Sequence, residues 1–149
     1  RLLPLPAFDD NYIWTVSDHQ GRALIVDPGD AGPVLRAADG GLQPVAVLIT
    51  TTMTITRALA SLDVYAPEDP RIAHATRRVR DGDCIEIGEL GLRFEVLALP
   101  GHTRSHVAYL QRDSEAPLLF CGYTLFHLGC GRISESGPVQ MHSSLQRLA

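Results

Sequence analysis

Short apolar runs of strand length alternate with polar turns along the first half of the chain. Strands are predicted over residues 12–16, 23–26, 43–50 and 64–66. A helix is predicted over residues 32–38, with Asp30 as its N-cap and Gly40-Gly41 at its end, and a second short helix over residues 56–62. This half therefore reads as a β-α alternation that follows a proline-rich N-terminal segment with a turn at residues 9–11.

The second half is dominated by strands. Four are predicted over residues 84–87, 92–97, 107–111 and 118–121, after a turn at residues 81–83. Residues 71–80 fit either a helix or a loop. A closing helix over residues 139–148 carries Met141, Leu145 and Leu148 on one face. The whole pattern predicts a layered α/β sandwich.

Composition and charge exclude several classes of protein. The 149 residues, 45% hydrophobic and 20% charged, suit one globular domain. The net charge of −4 and the lack of a basic cluster beyond Arg77, Arg78 and Arg80 argue against nucleic acid as a partner. All 13 basic residues are arginine, which excludes lysine chemistry. Without a long apolar run or a signal-peptide pattern, we expect no membrane association and a cytoplasmic location.

The three cysteines, Cys84, Cys121 and Cys130, do not indicate a disulfide framework. Their number is odd, and none is spaced as in a C-x-x-C motif. We expect free, buried thiols.

Six stretches, in this order, carry a family resemblance: LPAFDDNYIW, IVDPGDAGPVL, the DGD turn with its strand, LPGHTRSHVAYL, LLFCGYTLFHLGCGR and PVQMHSSLQRL. Together they resemble the hydroxyacylglutathione hydrolases, or glyoxalase II, of the metallo-β-lactamase superfamily. The resemblance implies an α/β fold, a four-layered αββα sandwich with a metal site at one edge between two sheets. It also implies hydrolysis of the thioester S-D-lactoylglutathione by a hydroxide on a pair of metal ions, zinc or iron.

Most of the metal ligands that the resemblance implies are replaced. The family places a T-H-x-H-x-D-H motif after the strand that here ends near Thr50, and an aspartate in the motif that here reads FCGYTLF. His102, in PGHT, is the one ligand that remains, and a further family histidine would fall beyond Ala149. The vacated positions are Thr51, Met53, Ile55, Thr56 and Tyr123. One histidine does not make a zinc site, so we expect no cofactor.

The resemblance also implies a shortened domain. The segment between Thr56 and Val64 is shorter than in the family. Residues 1–149 are interpreted as a single metallo-β-lactamase-like domain that lacks the family's C-terminal helical region. Arg132, in GCGR, matches a family residue that contacts glutathione, and is therefore the predicted substrate-binding residue.

Three hypotheses of function follow. The first is a glyoxalase II-like scaffold, depleted of metal by design, directed selection or natural divergence, with little or no hydrolase activity. The second is a noncatalytic binder of a thioester or glutathione-like small ligand near Arg132 and Tyr123. The third is a metal-independent hydrolase in which His102 and Tyr123 form an acid-base couple; alternatively, Tyr123 fills the vacated site and a backbone hydrogen bond holds His102.

Other arrangements have weaker support. A metal site outside the family pattern would combine His102, His127 and Cys121 or Cys130. A serine hydrolase is disfavoured because no G-x-S-x-G motif surrounds Ser105. Loss of a terminal strand would expose a sheet edge through which two chains could pair.

Overall fold

A six-stranded sheet forms the first half of the computed structural model, which describes residues 1–53 and 57–149. Its strands follow chain order: β1 (Leu2–Ala7), β2 (Asn11–Ser17), β3 (Arg22–Val26), β4 (Gln43–Leu48), β5 (Asp63–Pro67) and β6 (Arg77–Val79). β1 to β3 pair antiparallel, whereas β3 to β6 pair parallel. Between β3 and β4 the parallel pairing follows from the helix over Ala31–Asp39, a crossover that returns the chain in the same direction.

An antiparallel sheet of four strands forms the second half. Its spatial order is β10 (Leu118–Phe120), β9 (Val107–Gln111), β8 (Leu92–Ala98) and β7 (Cys84–Ile87). A two-stranded ribbon of β11 (Leu125–Phe126) and β12 (Gly129–Cys130) follows. The predicted meander of strands is confirmed.

Alternation along each strand divides the core into layers. On β3, Leu24 and Val26 belong to the cluster between the sheets, where Phe94 and Tyr109 of the second sheet meet them. Their neighbour Ile25 belongs to the opposite face and packs with Val34 of the first helix. A third cluster, around Leu97, Leu99 and Ala108, packs with Leu148 on the far side of the second sheet. Helix, sheet, sheet and helix are therefore stacked as an αββα sandwich.

Two short helices form the outer layers. Helix α1 (Ala31–Asp39) begins at Asp30, whose side chain accepts a hydrogen bond from the Gly32 N–H, as predicted for its N-cap. Helix α2 (Pro138–Leu148) buries Met141 and Ser144. No helix in the described part of the chain has both the length and the apolar character needed to cross a membrane.

Three local predictions need correction. No strand was predicted in the proline-rich N-terminal segment, but Leu2–Ala7 forms β1, the edge strand of its sheet, where Pro4 and Pro6 are tolerated. Residues 71–80, predicted as a helix or a loop, contain the short strand β6 after a turn. Of the helix predicted over residues 56–62, the described part contains only a 3₁₀ turn, Arg57–Leu59, and Thr56 lies outside the described residues.

The expected burial of the cysteines is wrong for two of them. Cys84 and Cys130 are exposed, and Cys121 is partly buried. Cys84 lies on the outer side of edge strand β7 and accepts a hydrogen bond from Arg93 Nε, at 2.8 Å. All three are free thiols, as predicted.

Candidate functional site

A cleft of about 960 Å³ opens at one end of the sandwich, between the two sheets. The turn between β1 and β2 forms one wall, and β10 with the segment leading to β11 forms the other. The loops that follow β3 and β4 supply its floor, with Asp27, Thr51 and Met53. Chain segments distant in sequence thus converge where the family resemblance implies a metal site.

Asp27 lies at the floor of the cleft in a left-handed backbone conformation, with φ of 52°. Its carboxylate accepts hydrogen bonds from the Thr50 backbone N–H, at 2.8 Å, and from Thr50 Oγ1, at 2.7 Å. Burial raises the pKa of Asp27 to about 6, because enclosure disfavours the ionised form more than the bonds from Thr50 favour it. In the sequence, Asp27 directly follows the strand predicted over residues 23–26, and no motif marked it as a site residue.

The vacated ligand positions within the described residues hold uncharged side chains. Thr51 is buried, and its hydroxyl shares a 2.9 Å hydrogen bond with the hydroxyl of Thr103. Met53 lines the cleft and packs against the apolar cluster below it. Ile55 and Thr56, the other two positions after β4, lie outside the described residues.

His102 and Tyr123 lie together in the cleft, with their rings stacked. The ring centroids are 4.7 Å apart and the ring planes differ by 26°. His102 Nδ1 lies 2.7 Å from the backbone oxygen of Arg132, a distance suited to an N–H donor on the ring. The hydroxyl of Tyr123 accepts a 3.3 Å hydrogen bond from Asn11 Nδ2 across the cleft. The structure therefore brings the two predicted residues into contact through ring stacking.

His106, four residues beyond His102, is completely enclosed. Burial lowers its pKa to about 4, with a smaller contribution from His102, so that the imidazole is neutral at pH 7. Nδ1 lies 3.4 Å from Thr124 Oγ1, and Nε2 has no hydrogen-bond partner among the described residues. Gly122 passes over this nitrogen with φ of 50°, and a Cβ at this position would collide with Thr50 Oγ1. His106 supports the cleft from beneath.

Other predicted site residues are not gathered into one site. The side chain of Arg132 is exposed and is not part of the cleft lining. His127 and Cys121 do line the cleft with His102, while Cys130 lies on exposed strand β12. Over residues 1–53 and 57–149, no group of three or more His, Cys, Asp or Glu side chains is arranged to hold a metal ion.

A network of ion pairs lies beside the cleft and holds its loops. Asp69, which follows β5, is only 5% exposed; Arg71 donates to it and to Glu135. Ser105 Oγ, on the loop that carries His102, donates to Asp69 Oδ2 at 2.7 Å. Arg104, on the same loop, donates its backbone N–H to Glu135. We call Asp69, Arg71, Ser105 and Glu135 the Asp69 network. No sequence motif marks these four residues.

Comparison with known proteins agrees with this architecture. ETHE1 from Myxococcus xanthus superimposes on 99% of the chain with a TM-score of 0.78 and 27% identity, and the chain covers 69% of that protein. The B3 metallo-β-lactamase BLEG-1 superimposes on 98% of it with a TM-score of 0.79 and 20% identity, which shows the fold alone; the chain covers 84% of that structure. No family model matches the chain. The fold and the position of the cleft define a metallo-β-lactamase-fold domain.

Sequence comparison then shows which metallo-β-lactamase-fold proteins the chain is similar to. The hydroxyacylglutathione hydrolase of Xylella fastidiosa (strain M12) is 51% identical over 157 residues, a match that includes all of this chain and 58% of the relative. The chain is similar over its whole length to that hydroxyacylglutathione hydrolase, in agreement with the resemblance of the six sequence stretches, and it spans little more than half the length of that relative. Because the match is longer than the chain's own 149 residues, the relative has extra residues within the shared region.

Proposed function

We propose that this chain is a hydroxyacylglutathione hydrolase-like domain that does not use the family's two-metal chemistry and keeps its cleft as a pocket for a small molecule. The observation that carries the proposal is the chemistry of the residues at the ligand positions. A zinc ion needs three or four nitrogen, sulfur or carboxylate donors at 2.0–2.3 Å. Among the family positions that the structure describes, His102 is the only one with a nitrogen, thiolate or carboxylate donor.

The neighbours of His102 do not complete a donor set. The Thr51 hydroxyl is occupied by Thr103, and Met53 offers a thioether, a weak ligand for zinc or iron. Tyr123 covers one face of the His102 ring, where the family's bridging aspartate would stand. Nδ1 of His102 is bonded to the Arg132 carbonyl, so Nε2 is the one nitrogen of this side chain left to act as a metal ligand. The residues present do not fit a metal pair, and no metal-dependent step is assigned to them.

Uncharged side chains at the vacated positions support the same proposal. A cluster of histidines and carboxylates without its metal would leave several polar groups enclosed and unpaired. Threonine, methionine and tyrosine avoid that cost. The cleft stays open, and a pocket of about 960 Å³ is large enough to enclose a small organic molecule.

The metal-independent hydrolase remains a prediction from the sequence. In the described geometry, Tyr123 donates no hydrogen bond to His102, and the phenol oxygen is bonded to Asn11 instead. The cytoplasmic location and the origin of the replacements also remain predictions.

Elemental analysis of the purified protein, together with an assay of S-D-lactoylglutathione hydrolysis, tests the proposal. We expect far less than one metal ion per chain and no turnover above the uncatalysed rate, whether or not zinc or ferrous iron is added. His102→Ala is the matched variant, and we expect it to change neither result. Two metal ions per chain with thioester turnover that is lost in His102→Ala would overturn the proposal.

A further inference from the structure

Aromatic side chains are concentrated in the cleft. Of the nine aromatic residues in the chain, six line it: Phe8, Tyr12, Trp14, Phe120, Tyr123 and Phe126. Four of these are substantially exposed at the mouth, although burial of such large apolar surfaces is strongly favoured: Phe8, Tyr12, Trp14 and Phe126. Exposed aromatic residues gathered at the mouth of one pocket indicate a binding site.

The aromatic rings form two walls that face across the cleft. On the β1–β2 hairpin, Tyr12 and Trp14 lie with ring centroids 6.2 Å apart. On the opposite wall, Tyr123 and Phe126 meet edge to face at 5.7 Å. Asn11 bridges the walls at the base through its hydrogen bond to Tyr123. A flat or tapered apolar group fits between walls of this kind.

Two aspartates are the acidic side chains of the cleft. Asp10 and Asp27 line it, and none of the 13 arginines in the chain does so. The three residues outside the described part, Thr54, Ile55 and Thr56, carry no charge, and the chain has no lysine. Asp27 is paired with hydroxyl and N–H donors of Thr50 rather than with a cation. A carboxylate ligand would therefore find no arginine or lysine side chain within the described lining, whose other basic groups are the imidazoles of His102 and His127.

We propose that the cleft binds a small organic cation with an aromatic or alkyl body, and that it disfavours anions such as glutathione. Ring faces attract a cation through their quadrupole, and the carboxylate of Asp10 adds a favourable charge at the mouth. The inference rests on the proposed function, because a bound pair of divalent metal ions would reverse the electrostatic preference of the cleft.

Calorimetry with matched phenyl compounds tests the ligand class. The protein is treated with EDTA, its metal content is measured, and it is titrated at pH 8 with 2-phenylethylammonium, 2-phenylethanol, 3-phenylpropionate and glutathione. We expect the ammonium compound to bind about tenfold or more tightly than the carboxylate, a difference of about 1.4 kcal/mol. Equal or tighter binding of 3-phenylpropionate or glutathione, or no binding of any compound, would overturn the inference.

Two neighbouring carboxylates give a matched pair of variants. Asp10→Asn removes the acidic charge at the mouth, and we expect a severalfold loss in affinity for the ammonium compound with the alcohol unchanged. Asp9→Asn changes the net charge equally, but Asp9 is exposed and does not line the cleft, so both affinities should persist. Equal effects of the two variants would contradict the role of Asp10.

The two proposals fail in different ways. Metal ions retained before EDTA treatment, together with thioester turnover, would contradict the proposed function. Metal-free protein that prefers the anion would contradict only the ligand class.

Discussion

The cleft and the Asp69 network share the loop between β8 and β9, which carries both His102 and Ser105. The two environments nevertheless shift the pKa of their carboxyl groups in opposite directions. Arg71 holds the pKa of Asp69 well below its usual range and lowers that of Glu135 to about 2. Within the described residues, the Asp27 carboxylate accepts hydrogen bonds only from Thr50, and burial raises its pKa to about 6. The network thus favours ionised carboxylates, whereas the floor of the cleft favours a protonated one.

Under the proposed function, this difference explains how the loops around the cleft could keep their arrangement without a pair of metal ions. The Asp69 network is satisfied entirely by protein groups, so it needs no metal ion to balance its charges. The family's ligand cluster depends on metal ions for that balance, and at its positions the chain has uncharged residues around His102. The loops can therefore keep their arrangement while the donor set is absent.

Breaking the network should have the largest effect on stability. Asp69→Ala removes an almost fully buried carboxylate and leaves Ser105 and part of Arg71 without a partner. Loss of one partner of a buried pair costs about 3–5 kcal/mol, and the lower end applies here because Arg71 is half exposed. We expect the free energy of unfolding, measured with urea, to fall by about 3 kcal/mol.

Glu115→Ala, at an exposed loop position, is the control for Asp69→Ala and should change stability little. A loss in Asp69→Ala no larger than in this control would show that the network does not hold the loops.

Removing the carboxylate of the cleft should instead change the pH dependence of stability. The pKa of Asp27 is higher in the folded protein than in the unfolded chain, so the folded state binds the proton more tightly. Its contribution to stability is greatest below the unfolded pKa and is lost as the pH rises through about 6. From pH 7 to pH 4.5, we expect wild type to gain about 2 kcal/mol relative to Asp27→Asn.

Asparagine suits this test because it tolerates the left-handed backbone at position 27. Asp113→Asn, at an exposed loop position, controls for the change in net charge. Parallel stability profiles for wild type and Asp27→Asn over this pH range would contradict the assignment.

Local signals predicted most of the fold. Strands such as β3 and β9 are apolar runs bounded by turn residues. The N-cap at Asp30 depends on a hydrogen bond to Gly32, only two residues away in the sequence. β1 was missed because its two prolines count against a strand until its position at the sheet edge is known. Edge position is a property of the tertiary structure that no local pattern contains.

The candidate site was predictable only in part. The family resemblance indicated His102 and Tyr123, which do meet in the cleft. It did not indicate that their rings stack, nor that Asn11, more than a hundred residues before Tyr123, donates a hydrogen bond to the phenol oxygen. The Asp69 network joins residues from three separate loops and has no contiguous sequence pattern. Which charges pair is decided by loop packing.

Loosening the network at one hydrogen bond should have a smaller effect. Ser105→Ala removes the 2.7 Å bond to Asp69 but leaves the pair with Arg71 intact. A hydrogen bond to a charged group contributes more than an average one, but water can replace it at this partly exposed serine, so we expect a loss of about 1 kcal/mol. Urea unfolding measures the loss. Ser105→Thr keeps a hydroxyl and should recover part of it; identical losses in the two variants would argue that the bond contributes little.

The exposed pair of Asp63 and Arg77, between β5 and β6, should show the smallest effect of all. Their nearest charged atoms are 3.5 Å apart, and the side chains are 49% and 61% exposed, so water screens the attraction. We expect Asp63→Asn to change the free energy of unfolding by less than about 0.5 kcal/mol, as is usual for exposed pairs. Urea unfolding at low and at high salt checks this, since the small difference from wild type should vanish as salt rises. A loss as large as that of Asp69→Ala would mean that burial is not what separates the Asp69 network from the other ion pairs of the protein.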